Sequence, residues 1–355
     1  MLFRRRSPQH RVSQSLFQKR LRKFRSLKRG YYSFWILVTL YALSFLDPLL
    51  INNRALVVHY NGHWYFPVFK YYPAKTFNQD GFGEARYREL KKRFEAEGGD
   101  NWLIMPPYPY HPNESLLKEI KGEPPTPPSH LHWLGTDNRG RDVFARLVYG
   151  FNISISFALA VTLFAYFIGI TVGATLGYFG GKVDLYGLRL IEIFASIPFL
   201  YTMIIVSSLL QPNFILLVFV MTIFGWVGIS FYMRGEFYRE KAKDYVAAAV
   251  SMGNSNLRVM FKHILPNALT PIITFAPFAV IGYISALVSL DFLGFGLPPP
   301  TPSWGELVNQ GISDIRYWWL IVSPMGASFF TLLLISFIGE AVREAFDPKV
   351  FSRLR

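Results

Sequence analysis

An all-α polytopic membrane protein with six helices across the bilayer is the fold class this sequence predicts, and three observations predict it. Charged residues make up only 17% of the 355 residues, where an ordinary soluble domain carries about 25%. Phe, Tyr and Trp supply another 17%, more large apolar surface than a water-soluble chain of this length can hide. The charges are also gathered so that five long stretches carry no Asp, Glu, Lys or Arg.

The first such stretch is Gly30–Leu46, 17 residues long and followed by Asp47-Pro48. It is too long for a cleaved signal core and lacks a small-residue cleavage site, so it reads as a retained span with a polar end, 31–51. Leu147–Gly181 holds one span, centred on Ile155–Tyr178. The 41 residues Ile193–Met233 are too long for one helix and suit two, divided at Gln211-Pro212-Asn213; each half gives roughly 27–30 Å of helix, one hydrocarbon thickness. Ile264–Leu290 and Tyr317–Gly339 complete six, inside a five-helix core over 147–342.

The net charge of +14 has a location. Residues 1–30 carry 11 Lys/Arg and no acid, leaving the rest at +3. A basic arm before an apolar span marks a cytoplasmic N-terminus and suits anionic headgroups. Within it VSQSLFQKRLRKF has the pattern of an amphipathic helix. No recognition motif accompanies the charge, so nucleic acid is not a partner. Six spans return the tail 343–355 to the cytoplasm, where Arg343, Lys349, Arg353 and Arg355 suit it. The 235–266 loop falls on the same side; the stretch from Arg234 to His263 holds six Lys/Arg. Residues 52–146 form an extracytoplasmic insertion, too aromatic to stay solvated, with a helix predicted over EARYRELKKRFEAEG.

The chemistry-bearing classes thin out quickly. With no cysteine there is no disulfide scaffold, thiolate nucleophile or Cys-based metal site. Five of seven histidines lie in the insertion without HExxH spacing. GYFGGKV is not a phosphate loop, because Leu176 and Val183 stand where Gly and Ser/Thr are needed. The chain therefore binds neither metal nor ATP by itself. Asp47, Asp291 and Glu340 sit at span ends, and Arg189 and Glu192 are spaced to pair. A secondary, ion-coupled transporter, the main alternative, would need mid-span ionisable groups or repeated broken helices, and neither is visible. A membrane enzyme would need a convergent catalytic set.

Two patterns carry more. Gly169, Gly173 and Gly177 form a small-residue ridge that lets a neighbouring helix backbone approach. In the cytoplasmic loop, Asp244-Tyr245-Val246-Ala247-Ala248-Ala249 predicts a short helix that breaks at Gly253. A second, over Leu257–Leu265, ends at Pro266. Alanines allow close approach, so this knob reads as a docking element.

The loop DYVAAAVSMGNSNLRVMFKHILPN resembles the EAA motif of binding-protein-dependent ABC importer permeases of the dipeptide/oligopeptide subgroup. HWLGTDNRGRDVFARLVYG, GGKVDLYGLRLIEIFASIP and LDFLGFGLPPPTPSWGELVNQG stand in that family's order, across about 135–348. NNRALVVHYNGHWYFPVFKYYP and FIGEAVREAFDPK are similar to the Yej-type peptide/microcin C permeases. The resemblance implies a type I ABC importer permease core in the bacterial inner membrane. It also implies a heterodimer with a second homologous permease, ATPase subunits or a fused double ATPase that hold ATP and Mg, and an extracytoplasmic peptide-binding protein. It places ATPase coupling at Asp244, Tyr245, Ala247, Ala248, Ala249, Gly253 and Pro266. Ala247 stands where the triplet's acidic residue is expected. Asp291, Gly294, Gly296, Ser303 and Trp304, in a Gly/Pro-rich stretch after a span end, are expected near the outer gate.

Overall fold

The computed structural model describes residues 16–120 and 122–347. The basic tail positions Lys349, Arg353 and Arg355 lie outside the described residues, as do residues 1–15 of the arm. Helix α1 (Leu16–Ser26) occupies the amphipathic stretch, followed by α2 (Lys28–Ser44) and one turn, α3 (Asp47–Leu50). The insertion then folds around strands β1 (Val57–Tyr60) and β2 (His63–Tyr65), helix α4 (Tyr87–Glu97) and strand β3 (Trp102–Ile104).

The apolar runs appear as long helices. They are α5 (Val143–Phe179), the pair α6 (Gly181–Ser196) and α7 (Phe199–Leu209), and α8 (Phe214–Lys241). The loop helices α9 (Asp244–Ser251) and α10 (Asn256–Arg258) follow, then α11 (Leu269–Leu293), α12 (Trp304–Ile312) and α13 (Trp319–Phe346). Four of these, α5, α8, α11 and α13, are long and apolar enough to cross a membrane, and the bent α6–α7 pair makes a fifth candidate. Helix α2 has 17 residues, about 26 Å and slightly short of a hydrocarbon core.

Three differences from the sequence reading have physical causes. The third span, expected in the first half of Ile193–Met233, is not one straight helix: α6 and α7 meet at 69°. Pro198 forces Ile197 into extended backbone (φ −77°, ψ 120°) and ends α6 there. Helix α5 begins twelve residues before Ile155, because Asp142 caps it by accepting from the Ala145 amide at 2.9 Å. The all-α class holds for the membrane part, but the insertion contains an antiparallel sheet in the order β2-β1-β3, with Val58 opposite both Tyr65 and Leu103. Val58, Phe77, Leu90, Phe94 and Leu103 bury their side chains between the sheet and α4.

Contacts at the helix ends define two faces. On the insertion face Ser44 meets Asn152 near the start of α5, Phe214 meets Phe157, and Ser207 donates to the Phe295 carbonyl. On the opposite, loop face, Lys23 of α1 pairs with Glu344 of α13 at 2.8 Å and Arg20 lies 4.7 Å from the Phe346 ring centre. Between the faces α5 lies along α8. A Cβ on Gly169, Gly173 or Gly177 would collide with the carbonyl of Trp226, Ser230 or Arg234 respectively, so these glycines let two backbones touch.

Candidate functional site

The loop between α8 and α11 is built in two layers. Val246 and Ala249 of α9 are buried, as are Val259, Met260 and Ile264 of the next segment. They join Tyr178, Met233 and Phe237 at the loop-face ends of α5 and α8 in one apolar cluster. The outward layer is open. Asp244, Ala247 and Ala248 are exposed, and so are Val250, Met252, Leu257 and Phe261, with Met252 at 73%.

The sequence dictates this split. Val246 and Ala249, three positions apart, share the face toward the bundle, while Ala247 and Ala248 between them turn small side chains away. Gly253 has φ +77° with nothing within 4 Å of an added Cβ, so backbone conformation rather than space demands glycine there. The second segment differs from its expected form. Asn256–Arg258 is α-helical, but Val259–Ile264 is a π-helix, a widened turn frequent at functional sites. Pro266 follows it, exposed, and the chain is re-pinned by the Asn267 side chain donating to the His263 carbonyl.

Polar contacts tie the loop to the bundle. The Tyr245 hydroxyl donates to Glu240 at 2.8 Å, and Lys243 donates to the same carboxylate at 2.6 Å. Burial, together with the Glu240 carboxylate, pushes the Tyr245 phenol up to about 12, so it remains a donor near neutral pH. Tyr178 donates to Asn256 at 2.9 Å, and Lys241 donates to the Tyr178 carbonyl. Arg234 of α8 holds Asp184 of α6 in a two-pronged pair, 2.5 and 2.6 Å.

The residues expected near an outer gate gather in one locked turn on the insertion face. Asp291 is buried near the end of α11 and accepts from the Leu297 amide and the Ser303 hydroxyl, each at 2.6 Å. Gly294 closes α11 at φ +82°. Gly296 has no room for a Cβ against Asp291. Trp304, 1% exposed, donates to the Leu147 carbonyl at 2.9 Å and lies against Gly150 of α5.

Beside this turn lies a charged node not singled out from the sequence. Arg141 donates to Asp137 (2.7 Å) and Glu306 (3.0 Å). Arg146, fully buried, donates to Glu306 at 2.5 Å and to the carbonyls of Pro112, Pro300 and Thr301. Burial opposes the charge of Arg141, yet Asp137 and Glu306 hold its pKa above the ordinary guanidinium value. DNRGRD gathers charges just before the longest helix and Ser303-x-x-Glu306 has capping-box spacing, local patterns that mark each segment without pairing them. His132 and Tyr108 complete the ring by contacting Asp142 at 2.8 Å each. Among the described residues no cluster of three His, Cys, Asp or Glu is arranged to hold a metal.

A bundle of long apolar helices with a small-residue knob on one face and an ion-pair lock on the other defines a class, a multi-span membrane subunit built to move against partners. The family described as "Binding-protein-dependent transport system inner membrane component" matches residues 169–352. The Inner membrane ABC transporter permease protein YejE of Escherichia coli K12 is 42% identical, over 93% of this chain and 96% of that protein. The Peptidoglycan transport system permease protein YejE of Agrobacterium fabrum is 38% identical over 94% and 93%, and the Dipeptide transport system permease protein DppC of Bacillus subtilis 33% over 78% and 88%. A solved methionine ABC transporter in inward-facing form superposes on 57% of this chain and 97% of its own at TM-score 0.48 and 18% identity. The chain belongs to the binding-protein-dependent transport family, as a non-catalytic ABC permease subunit of the inner membrane.

Proposed function

We propose that this chain is the permease of an ATP-driven importer for peptides or peptide-bearing cargo of the oligopeptide and microcin C kind. It would form the path with a second homologous permease. The relatives' names support the cargo class, since they speak of dipeptides and peptidoglycan. Coverage of 93% also means that the likeness to the Escherichia coli permease takes in most of the insertion.

The loop geometry supports the proposed coupling role. Its inner layer is fused to α5 and α8, while Ala247, Ala248, Met252 and Leu257 face outward without cover in this chain. An ATPase domain held there from the cytoplasm would move both helices with the loop, so the driving energy enters through docking rather than chemistry in this chain. Ala247 removes a carboxylate from that contact and leaves its shape. At the other face, residues 291–304 would close the outer end as one body with α5, because Trp304 donates to the Leu147 carbonyl of α5 and its neighbour Ser303 donates to Asp291. A peptide-binding protein would deliver cargo on that face.

The test is purification of the tagged protein from its native membrane in mild detergent, with mass spectrometry of what stays bound. A homologous permease and an ATPase are expected in stoichiometric amounts. Recovery of this chain alone in several detergents would overturn the importer reading and favour an ion-coupled transporter.

A further inference from the structure

Between α2, α5 and α13, on the insertion face, lies a crevice of about 370 Å³. Leu40, Leu43, Leu50, Phe151 and Phe330 supply much of its wall, and Asp47 lies at its polar end. Leu40, Leu43, Leu50 and Phe330 remain exposed in the chain, Phe330 at 50%. Asp47 is only 4% exposed, and its Oδ2 has no hydrogen-bond partner among the described residues.

The neighbouring donors are already committed. Arg146, next in the chain to the crevice residue Leu147, is spent on Glu306 and three carbonyls. Ser44, also in the wall, donates to the Tyr41 carbonyl and accepts from Asn152. A carboxylate oxygen buried without a donor is costly unless something outside the chain supplies one.

The depth says what that is. Asp47 opens the turn just past the end of α2, 18 positions after Arg29, roughly 27 Å at helical rise and close to one hydrocarbon thickness. Asp47 therefore sits where acyl chains give way to headgroups, and the apolar wall below it faces hydrocarbon. We propose that the crevice is a lipid site: an amine-headed phospholipid lays an acyl chain between α2, α5 and α13 and sets its ammonium on Asp47. The ammonium offers three donors and a compensating charge. An anionic glycerol headgroup brings like charge to the same carboxylate. This assignment is independent of the cargo and of the docking loop.

The experiment uses the whole transporter in nanodiscs of equal phosphatidylethanolamine and phosphatidylglycerol, released into mild detergent and read by native mass spectrometry. Wild type is expected to retain the amine-headed lipid about tenfold over the glycerol lipid, the factor one charged hydrogen bond gives. Asp47→Asn is expected to retain lipid with that preference lost, and Ala327→Phe, which fills the crevice, to lose the retained lipid. Thermal melting of each complex checks that the variants are folded. Equal retention of both lipids by wild type, or an unchanged preference in Asp47→Asn, overturns the proposal. So does a photo-crosslinker at Leu43 that captures the partner permease instead of lipid.

Discussion

The two ends of α5 are held in opposite ways. At its insertion-face end Arg146, Arg141 and Asp137 are buried and interlocked with the partly buried Glu306, and Trp304 is wedged against Gly150. At its loop-face end the contacts are an apolar cluster and a few hydrogen bonds, with small exposed side chains beyond them. A buried ion network tolerates no partial opening, because a charge left alone in low dielectric is expensive. An apolar cluster under an exposed knob keeps its shape while something else pulls it. The difference teaches that one face is fixed by its own charges while the other leaves small and apolar side chains open.

Substitutions can break that contrast, and their expected effects on folding form a descending series. Arg146→Ala removes one of the two cations that Asp137 and Glu306 share and leaves the carbonyls of Pro112, Pro300 and Thr301 without their donor, a loss of about 3 kcal/mol. It should drain the protein from membrane fractions on quantitative immunoblots. A variant that accumulates and melts like wild type would remove the lock. Gly173→Val drives a side chain into the Ser230 carbonyl and forces α5 from α8, for about 1–3 kcal/mol. Gly228→Ala on the same helix pair, with nothing within 4 Å, is the control and should melt unchanged. Ala248→Glu should be smallest on folding, within about 0.5 kcal/mol, and largest on transport. Gly253→Pro, which cannot adopt the φ of +77° there, should act likewise on uptake. Normal peptide uptake in both, with normal insertion, would sink the docking role.

Much of this architecture was legible in the residues. The uncharged runs fall on α2, α5, α7, α8, α11 and α13 because lipid leaves a chain little choice beyond helices, whereas most of α6, with Lys182, Asp184, Arg189 and Glu192, lies before its run. The Gly169, Gly173 and Gly177 spacing marked the seam that α8 fills, and the break at Gly253 was visible as a glycine after an alanine helix. The ion node was not legible. Asp137 and Glu306 are 169 positions apart, and nothing local in either segment says that Arg141 and Arg146 will meet the same carboxylates. The sheet in the insertion was hidden for another reason. Its strands are three and four residues long and aromatic on both faces, too short for alternation to show. The bend at Pro198 was written in the sequence, yet a proline inside a long apolar run does not declare whether it kinks a span or ends it.

Helix α5 runs 37 residues without a break, about 55 Å of continuous rod, well beyond the bilayer it crosses. Joined to α8 along the glycine seam it is a two-rod beam, and a beam that pivots near its middle moves its ends in opposite directions. A tilt of about 10° carries each end some 5 Å. The displacement needs no chain of relayed side-chain changes, only stiffness. If Ala248 were levered one way, Arg146 and Trp304 would swing the other, and the two ends of the beam would move out of phase by geometry alone.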